Sequence, residues 1–269
     1  MLSTLSLWNR SGCLRQNIWN ASTGLLMADW LDPHYGINSI RSGRRKAPGQ
    51  LTNKRHNYKI QASNRKDSMY KKQASKITGG LSAPGKMPEG SYNLPASMCQ
   101  TGQLLAKVEG TPCSGCYALK GRYRFPNVKD ALDRRLKSLE HPQWVRAMVT
   151  LITGIKHFRW HDSGDIQSAW HLKNIMEVCN QTPGTMHWLP TQERKYLPLK
   201  GSTIPPNLII RLSNAKNDTV PGNAWSHWST VVTKPRAGHV CPAPEQEMKC
   251  GSCRACWNKD IYEIQYKKH

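Results

Sequence analysis

Seven of the nine cysteines in this chain fall into two short groups, and cysteines grouped in this way are typical metal ligands. The first group is Cys99, Cys113 and Cys116, and the second is Cys241, Cys250, Cys253 and Cys256. Two cysteines separated by two residues can both reach one metal, because the backbone between them makes a tight turn that Gly115 and Gly251 ease. A Cys-x-x-Cys-x-x-Cys run is more typical of iron–sulfur ligation than of a zinc ribbon.

The two groups differ in the number of ligands that they offer. Three thiolates leave one corner of a 4Fe–4S cluster open, whereas four thiolates close it. An open position is the usual mark of a reactive metal site, and a closed one indicates structure or electron transfer. The sequence therefore predicts one or two 4Fe–4S clusters, with zinc as the alternative, above all at the C-terminal group. We do not expect Cys13 and Cys179 to be ligands, since one lies in a basic tail and the other ends an apolar helix face.

Composition restricts the class of protein. The chain has 269 residues with 39 Lys and Arg against 17 Asp and Glu, which gives a net charge of +22. It contains no apolar run near the roughly 20 residues that cross a bilayer, so we expect no membrane partner. The sparse, grouped cysteines and the lack of a secretory leader favour a reducing compartment and a cytoplasmic location.

Residues 1–75 are predicted to form a disordered basic arm. Twelve Lys and Arg residues lie between Arg41 and Lys76, and Asp67 is the one acid among them. Self-repulsion and low hydrophobicity should keep such a segment extended. The arm could bind nucleic acid by neutralising phosphates, or it could be a solvated tail, or it could be upstream sequence translated from an early start. Residues 76–269 are expected to form one α/β domain that carries both cysteine groups.

Apolar, β-rich runs alternate with helical patterns after residue 125. The runs cover residues 157–160, 186–189, 207–212, 230–233 and 261–266. This alternation predicts a mainly parallel sheet, either a partial (β/α) barrel or a curved open sheet with cysteine-rich metal-binding loops. Chemistry on such sheets belongs at the carboxyl ends of the strands. Polar residues recur at those ends, in residues 161–165, 191–194 and 213–214 and at Lys234.

Three stretches of the chain resemble the bacteriophage gene-product-88-like family. They are residues 76–123, 158–165 and 250–257, and the resemblance extends over residues 76–269 without the basic arm. It implies a phage origin, and hence the cytoplasm of the host cell, but it implies no particular reaction.

The layout of the domain is also similar to that of radical S-adenosylmethionine enzymes. That resemblance implies that Cys99, Cys113 and Cys116 hold a 4Fe–4S cluster, whose open iron binds S-adenosylmethionine, and that an electron donor reduces it. It further implies that the loop Ser163, Gly164 and Asp165 receives the amino group of the cofactor and that Tyr117 lies near its adenine. The family spaces its first two cysteines three residues apart and not thirteen, so residues 100–112 must fold back. Read without the resemblance, Ser163 or Asp165 could instead cap a helix that starts at Ile166.

Three function classes follow from these observations. The first is a phage-type iron–sulfur enzyme of the radical S-adenosylmethionine type, acting on nucleic acid or a nucleotide. The second is a zinc-stabilised nucleic-acid-binding protein without catalysis, which the net charge of +11 on residues 77–269 favours. In that case Trp225 and Trp228 could stack on bases. The third is a structural or redox-sensing iron–sulfur protein.

Overall fold

The computed structural model describes residues 69–199, 201–220 and 225–268, so nearly all of the predicted arm lies outside the described residues. The helices in these ranges are α1 (Lys71–Thr78), α2 (Gln100–Leu105), α3 (Pro126–Ser138), α4 (Trp144–Ile152) and α5 (Ala169–Gln181). The strands are β1 (Ser91–Tyr92), β2 (His157–Trp160), β3 (Met186–Thr191), β4 (Leu208–Ser213), β5 (Trp228–Val232), β6 (His239–Val240) and β7 (Glu263–Lys267).

The seven strands form one open sheet in which every neighbouring pair is parallel. The strand order is β1-β2-β3-β4-β5-β7-β6, so β1 and β6 are the edges and β7 enters between β5 and β6. The mainly parallel sheet is therefore confirmed in its open form, and not as a partial barrel. Because all strands are parallel, their carboxyl ends share one edge, which we call the carboxyl edge.

Alternation along the strands gives the sheet two different faces. Phe158 and Trp160 of β2 point toward α4 and α5, where they pack with Trp144 and other buried apolar residues. Five residues on one side of α4 are buried: Trp144, Ala147, Met148, Leu151 and Ile152. Arg159 and Trp188 point to the other face, which the C-terminal segment covers through Trp257.

Helix α5 begins later than the sequence predicted. Its first residue is Ala169 and not Ile166, and its N-cap is Ser168, whose side chain accepts a hydrogen bond from the His171 amide. The alternative that Ser163 or Asp165 caps this helix is therefore wrong. Residues 166–168 stay non-helical because the Asp165 carboxylate is bound to the end of β3, as described below.

The first described helix lies across the expected boundary of the arm. Helix α1 begins at Lys71, so a boundary after residue 75 falls inside it. Its Ala74 is fully buried and packs in one cluster with Ala147 and Leu151 of α4. Ile77 and the flanking Met69 and Leu81 pack against the same cluster, and the lysines between them obscure this apolar side in the sequence. No helix among the described residues is both long and apolar enough to span a membrane.

Candidate metal centres

The first cysteine group lies on the loop that leaves the carboxyl end of β1. Cys99 precedes α2, and the chain then turns back so that Cys113 and Cys116 return to it. The Thr111 hydroxyl fixes the return by hydrogen bonding to the carbonyl oxygens of Leu105 and Val108, at 2.7 and 2.9 Å. Residues 100–112 therefore fold back, as the resemblance to radical S-adenosylmethionine enzymes requires.

Gly102 shows how closely these thiols approach one another. A Cβ atom on Gly102 would lie 3.7 Å from the Cys99 Sγ and 3.8 Å from the Cys113 Sγ, so both sulfurs border the same small space. Cys116 is close enough for its charge to raise the pKa of both other thiols. The structure thus brings Cys99, Cys113 and Cys116 together at the carboxyl edge.

Two buried carboxylates stand beside these three cysteines. Glu193 follows β3, and its two oxygens accept hydrogen bonds from the amide and the hydroxyl of Thr101, each 2.7 Å long. It therefore fastens the start of α2 to the end of β3. Burial is the main reason that the pKa of Cys99 is raised, and it raises the pKa of Cys113 to about 11; Asp165 and Glu193 add to both effects. Both of these thiols therefore favour the protonated form, and ligation of a metal must displace their protons.

The predicted cofactor loop is occupied by contacts within the protein. The Ser163 hydroxyl donates to the Leu94 carbonyl at 2.9 Å, and the Leu94 amide donates to the Ser163 carbonyl. Gly164 has a φ of 78°, and a Cβ there would lie 2.6 Å from the Leu94 Cβ. Packing against Leu94 thus explains why this position is glycine, without a ligand.

Asp165 is likewise bound by protein groups. Its Oδ1 accepts hydrogen bonds from the Ile166 amide and the Thr191 hydroxyl, and its Oδ2 accepts one from the Gln192 amide. Burial raises the pKa of Asp165 to about 7, although these three donors act in the opposite direction. The carboxylate joins the ends of β2 and β3, and both of its oxygens are already engaged. Asp165 therefore fits poorly as the acceptor for a cofactor ammonium.

Tyr117 is anchored by its hydroxyl and presents its ring to solvent. The hydroxyl donates to the Asp162 carbonyl, and the side chain of Asp162 accepts from the hydroxyl of Tyr123 and from Arg159. The Tyr117 and Tyr123 rings lie 5.9 Å apart. Tyr117 is thus next to Cys116 and has a fixed ring, as a residue that contacts a bound ligand requires.

The second cysteine group lines a small cavity between β6, β7 and the loop that joins them. Cys241, Cys250, Cys253 and Cys256 all border it, together with His239. The Cys253 Sγ lies 3.7 Å from the His239 Nε2, and the Cys256 Sγ lies 3.6 Å from the Tyr266 hydroxyl. Burial raises the pKa of Cys256 to about 12. The structure therefore adds His239 as a potential fifth donor, which the cysteine spacing alone did not reveal.

Arg211 holds the loop of this second group in place. Its side chain is fully buried in β4. The guanidinium donates to five backbone carbonyls of the C-terminal segment, those of Ala255, Cys256, Asn258, Ile261 and Tyr262. Sequence reasoning missed this role, although an arginine inside the apolar run of residues 208–212 is an informative signal.

Arg159 lies between the two cysteine groups. It donates to Asp162 at 2.6 Å, and its guanidinium carbon lies 4.5 Å from the centre of the Trp188 ring. It also interacts electrostatically with Tyr117 on one side and with Cys256 on the other. In the sequence, Arg159 stands between Phe158 and Trp160 of β2. This alternation predicts that Arg159 points to the opposite face of the sheet from these two residues.

The donor chemistry at both centres fits a thiophilic metal, but the side chains as they stand do not form a ligand shell. In residues 69–199, 201–220 and 225–268, no three His, Cys, Asp or Glu side chains converge closely enough to hold an ion. The cysteine-lined loops are thus present, and their metal binding stays a prediction. The space that Gly102 leaves beside two sulfurs is the observation that favours it.

Comparison with known proteins gives one match. A family model described as gene product 88 matches residues 58–259, which include both cysteine groups. No curated protein and no solved structure matches the chain.

Proposed function

This chain belongs to the gene product 88 family, a phage-type family, and we propose that it is an iron–sulfur enzyme whose cluster is held by Cys99, Cys113 and Cys116. One observation carries the proposal: the Cys99 and Cys113 thiols, from two separate turns, border a single space at the carboxyl edge of a parallel sheet, and Cys116 is close enough for its charge to act on both of them. That edge is where ligands bind on such sheets. Three thiolates leave one iron of a cubane cluster without a protein ligand.

When bound, a 4Fe–4S cluster supplies an open iron and, once reduced, one electron to a molecule held there. The protein's own contribution is position and charge. Glu193 fixes the turn that carries Cys99 through its two bonds to Thr101, and Asp165 fixes the adjacent β2 and β3 loops. Glu193 places negative charge beside the thiolates, and Asp165 adds to it when ionised; negative charge disfavours adding an electron there and so favours a strongly reducing centre.

The finer proposal is a reaction of the radical S-adenosylmethionine type. Chain order supports it, since the cysteine loop follows β1 and the Ser163 loop follows β2, both at the carboxyl edge. The hydrogen bonding of Asp165 opposes the specific role predicted for its carboxylate. Should S-adenosylmethionine bind here, Tyr117 is the predicted contact whose ring remains exposed.

The first experiment measures iron and acid-labile sulfide in protein purified without oxygen. The wild type should be brown, and Cys116→Ser should lose iron and sulfide together. Cys179→Ala is the matched control, because Cys179 is a buried thiol on α5 that lines neither centre. A colourless wild type with stoichiometric zinc would refute the cluster and favour the zinc-stabilised nucleic-acid-binding protein.

The second experiment tests the reaction on the same preparation. Reduced protein is mixed with S-adenosylmethionine, and chromatography is used to look for 5′-deoxyadenosine and methionine. Both products should form with the wild type and with Cys179→Ala, and neither with Cys116→Ser. A brown protein that forms neither product would instead be a structural or redox-sensing iron–sulfur protein.

For the second group we propose a structural metal, zinc or a closed cluster, bound by Cys241, Cys250, Cys253 and Cys256. The cavity that all four border supports this assignment. Losing a structural metal typically unfolds the element that it stabilises. Cys253→Ser should therefore lower both metal content and melting temperature. Unchanged metal content and an unchanged melting temperature would show that this group binds no metal.

A further inference from the structure

We infer that the surface beside Cys116 binds single-stranded nucleic acid. We define this surface, the edge surface, by Tyr117, Lys120, Arg122, Arg124 and Phe125. If the proposed iron–sulfur centre is present, this surface also identifies its substrate class, and that part of the inference rests on the proposed function. The binding itself depends on charge and exposed aromatic rings, and these are present without a cluster.

The charge exposed around the three-cysteine loop is positive. Residues 93–129 contain five Lys and Arg residues and one acid, Glu109. Lys120, Arg122 and Arg124 of the edge surface are all exposed. The acids beside the cysteines do not offset this positive charge at the surface. Glu193 is fully buried, and the Asp162 carboxylate is paired with Arg159. The nearest exposed acids along the chain are Glu109 and, one turn into α3, Asp130, and neither belongs to the edge surface, so a phosphate chain would meet an excess of cations here.

The same surface presents two aromatic rings to solvent. Tyr117 is 57% exposed and Phe125 is 55% exposed. The chain has only two phenylalanines, and the other one, Phe158, is fully buried. More than half of the Phe125 surface is thus accessible to a partner.

The Tyr117 ring is anchored through its hydroxyl, and the backbone that carries Phe125 is fixed. The Tyr117 hydroxyl is bonded to the Asp162 carbonyl. Phe125 precedes Pro126 at the start of α3, and its carbonyl accepts hydrogen bonds from the amides of Val128 and Lys129, each 3.0 Å long. A ring on a fixed backbone loses less conformational entropy when a base stacks on it.

Interleaved cations and exposed rings match a single strand better than other polyanions. The three cations lie between the two rings in the chain, within or between the short 3-10 turns Tyr117–Leu119 and Gly121–Arg124. A single strand offers phosphates to the cations and unstacked bases to the rings, whereas a duplex hides its base faces. An acidic protein would complement the cations but has no need of two exposed aromatic faces.

The test uses the full chain and a labelled oligo(dT), with binding followed by fluorescence anisotropy at several salt concentrations. Replacing Arg122 and Arg124 together by alanine should weaken binding and reduce the slope of log affinity against log salt by about 1.4, for two lost phosphate contacts. Phe125→Ala should weaken binding about tenfold, and this loss should persist at high salt, where stacking remains.

The matched control removes two cations at the opposite edge of the sheet. Lys156 and Lys259 are exposed and lie just before β2 and β7, at their amino ends. The Lys156→Ala, Lys259→Ala double variant has the same net charge as the arginine double variant, and its affinity should stay within twofold of the wild type. An equal loss in both double variants would mean that only overall charge matters and would overturn the inference.

Photocrosslinking then locates the strand. Irradiated oligo(dT) should attach to the tryptic peptide of residues 125–129, which follows Arg124 and carries Phe125. Crosslinks confined to residues 1–57 would overturn the inference by assigning the binding to the basic arm. Displacement of oligo(dT) by polyglutamate of equal charge would also overturn it, in favour of an acidic protein partner.

Iron and sulfide analysis of every variant separates this inference from the proposed function. The edge-surface variants should retain the metal content of the wild type, because none of the substituted residues is a cysteine. Oligo(dT) binding by a protein that contains no cluster would refute the iron–sulfur proposal and leave the nucleic-acid surface standing. A cluster protein that does not bind oligo(dT) would refute the surface alone.

Discussion

At the scale of single residues, Gly102 controls the space between two sulfurs. It lies within α2, where its backbone needs no positive φ, so alanine would be favourable for the helix itself. A Cβ there would nevertheless lie 2.9 Å from the Cys99 Cβ and within 4 Å of both sulfurs. We predict that Gly102→Ala displaces Cys99 and lowers the iron content of anaerobically purified protein severalfold.

Gly115→Ala provides the control for this prediction. Gly115 lies in the same loop, between Cys113 and Cys116, and a Cβ there would meet nothing within 4 Å. Its iron content should equal that of the wild type. If Gly102→Ala also keeps its full iron content, the shared space between the sulfurs is not the binding site.

His161 ties the stability of the fold to pH. It is buried with a φ of 69°, and its Nδ1 lies 2.9 Å from the Tyr92 carbonyl, to which it must donate. Burial lowers the pKa of His161 to about 4. An unfolded histidine, by contrast, takes up a proton near its usual pKa of about 6.5.

The sign of the pH effect follows from this difference. Between about pH 6.5 and pH 4 the unfolded chain binds a proton that the folded protein does not, so the free energy of unfolding falls as pH decreases. The fall approaches about 1.4 kcal/mol per pH unit for one histidine. We predict that His161→Asn reduces this slope in urea unfolding between pH 7 and pH 5, since asparagine tolerates the backbone and can donate to Tyr92. An unchanged slope would show that His161 does not contribute.

At the scale of elements, one β4 side chain fixes the segment that follows the last cysteine. The Arg211 guanidinium donates to five carbonyls between Ala255 and Tyr262. Lysine has a single nitrogen and cannot reach all of them. We predict that Arg211→Lys costs about 3 kcal/mol of stability and speeds amide exchange in residues 255–262. Exposed Arg194→Lys should change neither quantity, and a stable Arg211→Lys variant with protected amides would contradict the assignment.

The elements also show what the sequence could predict. The five apolar runs could be predicted as strands because each is short, apolar and β-rich. Burial alternates along β2, whereas β4 buries five consecutive residues, as a strand covered on both faces does. Strands β1 and β6 were missed because two residues are too few to show any period. The start of α5 was misplaced because Asp165 is an equally good cap in isolation, and only its contact with Thr191 of β3 removes it from that role.

The candidate sites divide in the same way. The sequence could predict that Cys113 and Cys116 lie together, because only two residues separate them. The approach of Cys99 across thirteen residues, and the support from Glu193, are tertiary contacts without a local signal. The role of Gly164 was inferred from ligand approach, whereas its actual neighbour is Leu94, a residue seventy positions away in the chain.

At the scale of the molecule, the folded part extends further toward the N-terminus than charge alone indicated. Ala74 is buried against α4, and the carbonyl of Thr78 accepts a hydrogen bond from the buried Tyr92 hydroxyl at 2.7 Å. We predict that deletion of residues 1–57 leaves the melting temperature and metal content unchanged, and that deletion of residues 1–78 lowers the melting temperature. Equal melting temperatures for the two deletions would mean that α1 contributes nothing to the fold.

Strand β7 has a consequence for how the protein is made. It follows β5 and β6 in the chain, yet it lies between them, and β6 pairs with no other strand in the described residues. During synthesis, β6 and one edge of β5 therefore have no partner strand until residues 263–267 are available. A chain that ends before residue 263 would keep these strand edges open, and open edges promote aggregation. Formation of β7 is thus the step that closes both edges.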